Sequence, residues 1–235
     1  MIRRMKVCLN GNRKPGEHPA VPLTPAQLAE AAAASVAAGA EAVHMHPRAH
    51  DGTESLAAAD VGAAVTAVRS ACPGVPVGVS TGLWITGGDV ARRRELVEGW
   101  SVLPDFASVN VSEEGYAGLL ALLHVRGVAV EAGVWSPGEA ERAGPAERIL
   151  VEIIGTPADR AVTRAAAILA HLDEQVPVLL HGEGDACWPL VAHAGRLGLP
   201  TRIGLEDTLV GPDGTPALDN ADLVRRALQV WDQVQ

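Results

Sequence analysis

Residues 24–46 read TPAQLAEAAAASVAAGAEAVHMH, and this stretch decides the fold. Thr24 can cap a helix, Pro25 suits the first helical position, an alanine-rich run follows, and Gly39 stops it. The next six residues, EAVHMH, are short, mostly apolar and bounded by the glycine, as a strand is. A helix delivering the chain straight into a buried strand is one half-turn of an alternating α/β architecture.

The same unit recurs in both directions. Strands are predicted near 5–9, 41–46, 76–80, 106–110, 128–133, 149–154, 177–181 and 201–205. Helices are predicted near 25–38, 57–70, 89–98, 115–125, 137–143, 158–174, 186–197 and 218–234, the last capped by Asp219 or Asn220. Eight strand–helix units with no segment left over predict a closed (β/α)8 TIM barrel of the α/β class, one catalytic domain over residues 1–235. No GxGxxG turn follows the first strand, which argues against an open dinucleotide-binding sheet. The proline-rich PGEHPAVPLTP reads as a long first loop.

Composition excludes several classes. A net charge of −9 and the lack of a basic stripe argue against nucleic acid. No stretch approaches the roughly 20 apolar residues of a membrane helix, and the N-terminus lacks the apolar run of a signal peptide. The three cysteines are scattered and form no framework, which fits a reducing cytoplasm. Aromatics make up only 3% of the chain, so small aliphatic side chains must fill the core.

In such a barrel the strand C-termini carry the chemistry. His44 and His46 end the second strand at i and i+2, so they project to one face while Val43 and Met45 project to the other. Two imidazoles there suit a divalent metal better than two separately satisfied histidines. A third ligand must come from another strand end, and Glu206, in RIGLEDTL after the eighth strand, is the candidate. Asp207 beside it is free for a base or an orienting group, although the same pair could cap a helix. Zinc suits this donor set; manganese, iron and nickel fit it as well. Arg202, four residues earlier, can clamp a substrate carboxylate, orient Asp207 or form a structural ion pair.

Ser80 and Thr81 close the third strand and Ser108 and Asn110 the fourth, a polar rim able to hold a small acid. Arg48, in the loop after HMH, can meet an anionic ligand or remain solvated. Glu131, Glu152 and His181 fall on strands five, six and seven; buried, they need partners, and His181 reads as a pocket-lining group.

Taken in order, NGNRK…HPAVPLTPAQLA, GAEAVHMHPRAHDG, VGVSTG, FASVNV and RIGLEDTL resemble the beta-keto acid cleavage enzymes. The resemblance runs from the first strand to the last helix. It implies a zinc-dependent TIM barrel that condenses a beta-keto acid with an acyl-CoA, usually acetyl-CoA, and splits the product to acetoacetate and a new CoA thioester. It implies His44, His46 and Glu206 as zinc ligands, Asp207 as catalytic carboxylate with Arg202 as its charged partner, Ser80 and Ser108 at the substrate carboxylate, and a homo-oligomer. The chain departs from the family pattern in two places. Asn12 and Arg13 stand where some members carry a glutamate, and Gly182-Glu183-Gly184-Asp185 replaces Gly-x-Gly-Arg, putting an anion in a region that could contact CoA phosphates. The residues alone leave open a metal-dependent aldolase or hydrolase on a small carboxylate without CoA, and a non-catalytic metabolite-binding barrel.

Overall fold

The computed structural model describes residues 2–173 and 175–235. Eight strands, Met5–Cys8 (β1), Ala42–Met45 (β2), Val77–Ser80 (β3), Phe106–Asn110 (β4), Ala129–Val134 (β5), Arg148–Ile153 (β6), Val178–Gly182 (β7) and Thr201–Ile203 (β8), pair in parallel in the order β7-β6-β5-β4-β3-β2-β1-β8. The remaining seam is drawn together where Leu180 N–H donates to the Pro200 carbonyl at 3.0 Å. The result is the expected (β/α)8 barrel.

Eight α-helices follow the strands: Pro25–Ala37 (α1), Ala58–Ala71 (α2), Val90–Glu98 (α3), Tyr116–Val125 (α4), Pro137–Ala140 (α5), Ala158–Leu169 (α6), Cys187–Leu197 (α7) and Asn220–Asp232 (α8). Thr24 caps α1 in a reciprocal box with Gln27, and Asp219 caps α8 by accepting from Asp222 N–H. Both caps hold helix starts whose first amides would otherwise lack partners. Three helices are clearly shorter than expected, α8 among them at Asn220–Asp232 instead of 218–234. α5 is a single turn that ends at Ala140, before Gly144 and Pro145 are reached, and α6 stops at Leu169; position 174, its expected end, lies outside the described residues.

Strand alternation divides the side chains cleanly. Val43 and Met45 face outward into the large cluster packed between strands and helices. Ala42 faces inward and joins Ile2, Phe106, Leu150 and Leu179 in a small apolar floor inside the barrel. Residues two and four further along the same faces rise from that floor toward the strand C-termini. His44 and His46, Ser108 and Asn110, Glu152 and His181 are therefore delivered to one end of the barrel.

A buried ion cluster lies deeper in the barrel. Lys6 donates to Glu131, which also accepts from Arg148, and Lys6 lies 5.5 Å from the Phe106 ring centroid. This partnering answers the requirement that Glu131 raised in the sequence: it is structural, remote from the rim.

Candidate active site

The rim encloses a cavity of about 300 Å³. Strands β2 and β8 supply its densest chemistry. His46 Nε2 and His44 Nε2 lie 3.6 and 3.9 Å from Glu206 Oε2, and one donor atom from each residue falls within 4.8 Å of the others. Glu206 reaches this place from a turn, not a strand. β8 ends at Ile203, and Asp207 N–H and Thr208 N–H fold back onto the Gly204 carbonyl at 2.9 and 3.1 Å.

Three observations fit a divalent cation. Glu206 Oε2 is buried without a hydrogen-bond partner, an arrangement that needs a compensating charge. His46 Nδ1 bonds Glu54 Oε1, which fixes the ring and turns Nε2 toward Glu206. Glu206 Oε1 is meanwhile held by Arg202 Nη2 at 2.9 Å, so the free oxygen is the one turned to the histidines. Two imidazoles and a carboxylate form a donor set that zinc and its first-row neighbours accept.

Electrostatics follow the same geometry. Burial drives His44 well below its ordinary value, only partly opposed by Glu206. Burial also acts downward on His46, but Glu206 and Glu54 outweigh it and lift the imidazole to about 9. Glu206 is buried too, yet Arg202 and the histidines hold it well below the carboxylate range. Burial raises Asp207 despite Arg202 and His181.

Arg202 organises the centre. Its Nε and Nη2 donate to Asp207 Oδ1, and Nη1 stands 3.9 Å from Glu152 Oε2. Asp207 is fully buried behind Arg202, while Arg202 itself lines the cavity. His181 Nε2 bonds Glu152 Oε2 at 2.8 Å, and its Nδ1 lies 3.7 Å from Asp207 Oδ1. His181 is thus a buried link between Glu152 and Asp207; Glu152, one strand over, is the member that lines the cavity.

Ser80, Ser108 and Asn110 line the cavity as expected of a polar rim, whereas Thr81 and Arg48 stand away from it. Thr81 follows Ser80 by one residue and so turns to the opposite side, where its hydroxyl donates to the Ser108 carbonyl at 2.7 Å. Arg48 spends its guanidinium on the Gly11, Arg13 and Gly52 carbonyls and ties two loops together. Asn110 differs from the expected carboxylate holder: its Nδ2 donates to Glu113 Oε1 at 2.9 Å, so its oxygen, an acceptor, is what remains.

Other contributors gave no sequence signal of their own. Asn10 clasps the His46 backbone, accepting from its N–H at 2.8 Å and donating to its carbonyl at 2.9 Å. Glu54 anchors the His46 ring, and Trp84 stacks on that ring at 6.3 Å while donating to Glu54 Oε2. Trp135 lines the far wall and donates to Glu152 Oε1 at 3.2 Å. A second cavity, of about 540 Å³, adjoins the first through Ile154 and Glu183 and is lined also by Arg13, Thr156 and Asp185.

Fold and site together define a class: a (β/α)8 barrel with a candidate divalent-metal centre and a buried Arg–Asp pair beneath its C-terminal rim. The chain belongs to the beta-keto acid cleavage enzyme family, which it matches over residues 5–235. The 3-keto-5-aminohexanoate cleavage enzyme of Fusobacterium nucleatum subsp. nucleatum is 25% identical over 240 residues, covering 91% of this chain and 85% of that one. Among solved structures, ObcA in ternary complex with a C4-CoA adduct and oxalate superposes with a TM-score of 0.69 at 18% identity, covering 90% of this chain and 63% of ObcA. Thiamine phosphate pyrophosphorylase from Pyrococcus furiosus gives 0.56 at 13% identity over 99% of this chain and 96% of that one. The structural likenesses concern the fold alone, and this chain spans less than two thirds of ObcA's length. No helix among the described residues is long and apolar enough to cross a membrane.

Proposed function

We propose that the protein condenses a beta-keto acid with acetyl-CoA and cleaves the adduct to acetoacetate and a new acyl-CoA, using zinc held by His44, His46 and Glu206. The carrying observation is the convergence of those three donors beside the Arg202–Asp207 pair, in a chain that belongs to the beta-keto acid cleavage family. A divalent ion bound there polarises a ketone oxygen as a Lewis acid, worth several kcal/mol at the transition state.

The protein's own groups do the rest. Ser80 and Ser108, paired across β3 and β4, offer hydroxyls to the substrate carboxylate. Asp207 is the base of this reading: Arg202 occupies Oδ1 and leaves Oδ2 free, and the proton lost from the carbon between carboxylate and ketone reaches it past the Arg202 side chain that separates it from the cavity. Arg202 keeps that carboxylate oriented and lends positive charge to the cavity wall. The adjoining cavity around Arg13 and Thr156 gives a long co-substrate a way in.

One observation favours a second reading. Glu183 and Asp185 border that second cavity, and carboxylates repel phosphates. A metal-dependent aldolase or hydrolase acting on a small carboxylate without CoA meets no such obstacle. Zinc-loaded protein incubated with acetyl-CoA and a panel of beta-keto acids decides between them. Acetoacetate and a new thioester support the first reading; acid turnover that is indifferent to CoA supports the second. His44→Ala, checked by elemental analysis, is the control.

A further inference from the structure

The metal-side cavity and the second cavity meet at two side chains, Ile154 and Glu183, which line both. A long acyl thioester fits this shape in one sense only. Its acyl group belongs on the metal side, its arm belongs in the adjoining space around Arg13 and Thr156, and the thioester link lies where the two meet. Ile154 brings no proton to that place. Glu183 brings a carboxyl, from the Gly182-Glu183-Gly184-Asp185 segment that the reaction as described leaves unused.

The backbone holds Glu183 in place. Its N–H donates to the Ile153 carbonyl of β6 at 3.0 Å, and the next N–H, of Gly184, donates to the Asp207 carbonyl at 2.8 Å. On the other side Gly182 packs so tightly that a Cβ there would lie 2.6 Å from the Ala186 carbonyl oxygen. Glu183 is thus pinned between β6 and the turn that carries Asp207. Its carboxyl, in contrast, has no hydrogen-bond partner among the described residues and can take one from a ligand. The neighbouring acids are already committed, Glu152 to His181 and Trp135, Glu206 and Asp207 to Arg202. Burial, and after it Asp207, lift the Glu183 carboxyl above its ordinary value against the pull of Arg202.

We propose that Glu183 is a further catalytic residue, which gives a proton to the departing thioester sulfur and takes it back when that sulfur attacks the substrate's ketone carbon. This rests on the reading of the site as one that joins a beta-keto acid to an acyl-CoA. In the first half, the enolate carbon of the keto acid bonds to the acetyl carbon. The carbon–sulfur bond breaks with its electron pair on sulfur, and the Glu183 proton moves to that sulfur. In the second half, Glu183, now a carboxylate, removes the thiol proton as sulfur bonds to the original ketone carbon. The carbon–carbon bond then breaks with its pair on the acetoacetate side, which recovers the proton lost at the start. Glu183 ends as it began, and no further reagent is consumed. A thiol ionises near a pKa of about 8.5, well above a carboxyl, so the transfer to sulfur runs downhill. A carboxyl lifted by burial narrows the gap for the return, as a group that works in both directions requires.

Zinc-loaded wild type and Glu183→Gln are assayed with acetyl-CoA and a panel of beta-keto acids; glutamine keeps the shape and has no acid proton to give. We expect kcat to fall by about a hundredfold in the variant, with KM for acetyl-CoA little changed and zinc content the same by elemental analysis. Glu183→Ala should fall at least as far and regain part of its rate when formate is added to replace the missing carboxyl. Wild-type kcat in Glu183→Gln, a loss carried by KM alone, or a Glu183→Ala rate that formate leaves unmoved each overturn the proposal and leave the reaction standing. A wild type that forms no new thioester from any acid of the panel overturns the reaction, and this inference with it.

Discussion

Arg202 donates from both Nε and Nη2 to one oxygen of Asp207, at 3.1 and 2.8 Å, and leaves the other oxygen buried without a partner. A carboxylate held this way is fixed in orientation and still has a lone pair for a proton. Asp207→Asn keeps the volume and removes the base. We expect kcat to fall by about 10²–10⁴-fold, the usual worth of a positioned general base, with zinc content unchanged by elemental analysis. Wild-type kcat in this variant would take Asp207 out of the chemistry.

Glu54 accepts from His46 Nδ1 and from the Trp84 indole at 3.0 Å, so one carboxylate orients the ring and ties it to its stacking partner. Glu54→Gln retains the shape and removes the charge that makes the imidazole a better donor. Zinc affinity, measured by competition with a chelating dye, should drop by about 10–100-fold. An unchanged affinity would mean that the ring is held by packing alone.

Much of this site could be read from residue order, and the exceptions have physical causes. HMH and Glu206-Asp207 were legible because strand parity and barrel topology are local rules with long-range consequences. The polar rim was legible except at Thr81, where the strand ends and parity turns the hydroxyl away. Glu54 lies eight residues beyond His46 and gives no periodic signal; its loop returns through an antiparallel bridge between Arg48 and Glu54 that only the folded chain reveals. The facing of Asn110 depends on Glu113, a residue outside every strand. Glu206 was expected directly after a five-residue strand, but β8 ends at Ile203, where the Asp207 and Thr208 amides fold back onto the Gly204 carbonyl.

The buried Lys6–Glu131–Arg148 cluster predicts how stability varies with pH. Burial alone would raise Glu131, but Lys6 and Arg148 overcome it and hold the carboxyl below its ordinary value. A carboxylate lowered in the folded state stabilises above its unfolded pKa of about 4.3, and that contribution disappears as pH falls through the lower folded value. Glu131→Gln strands two buried cations. It should lose about 3–5 kcal/mol at pH 7 by chemical denaturation, and the deficit relative to wild type should narrow on acidification below pH of about 4. A deficit that stays constant into acid would assign the loss to packing.

Gly11 and Gly16 share a left-handed backbone, φ +50° and +89°, but only Gly11 packs against Glu206. A Cβ on Gly11 would lie 2.4 Å from Glu206 Cγ, whereas nothing lies within 4 Å of one on Gly16. Alanine at either site pays the same kind of conformational penalty, about 1–2 kcal/mol. Only at Gly11 must Glu206 also move, and its carboxylate cannot shift without leaving Arg202 or the histidines. We therefore expect both Gly11→Ala and Gly16→Ala to lower the melting temperature, and Gly11→Ala alone to weaken zinc binding, by about tenfold or more. Parallel losses of zinc affinity in the two variants would show that loop strain, and not displacement of Glu206, governs the site.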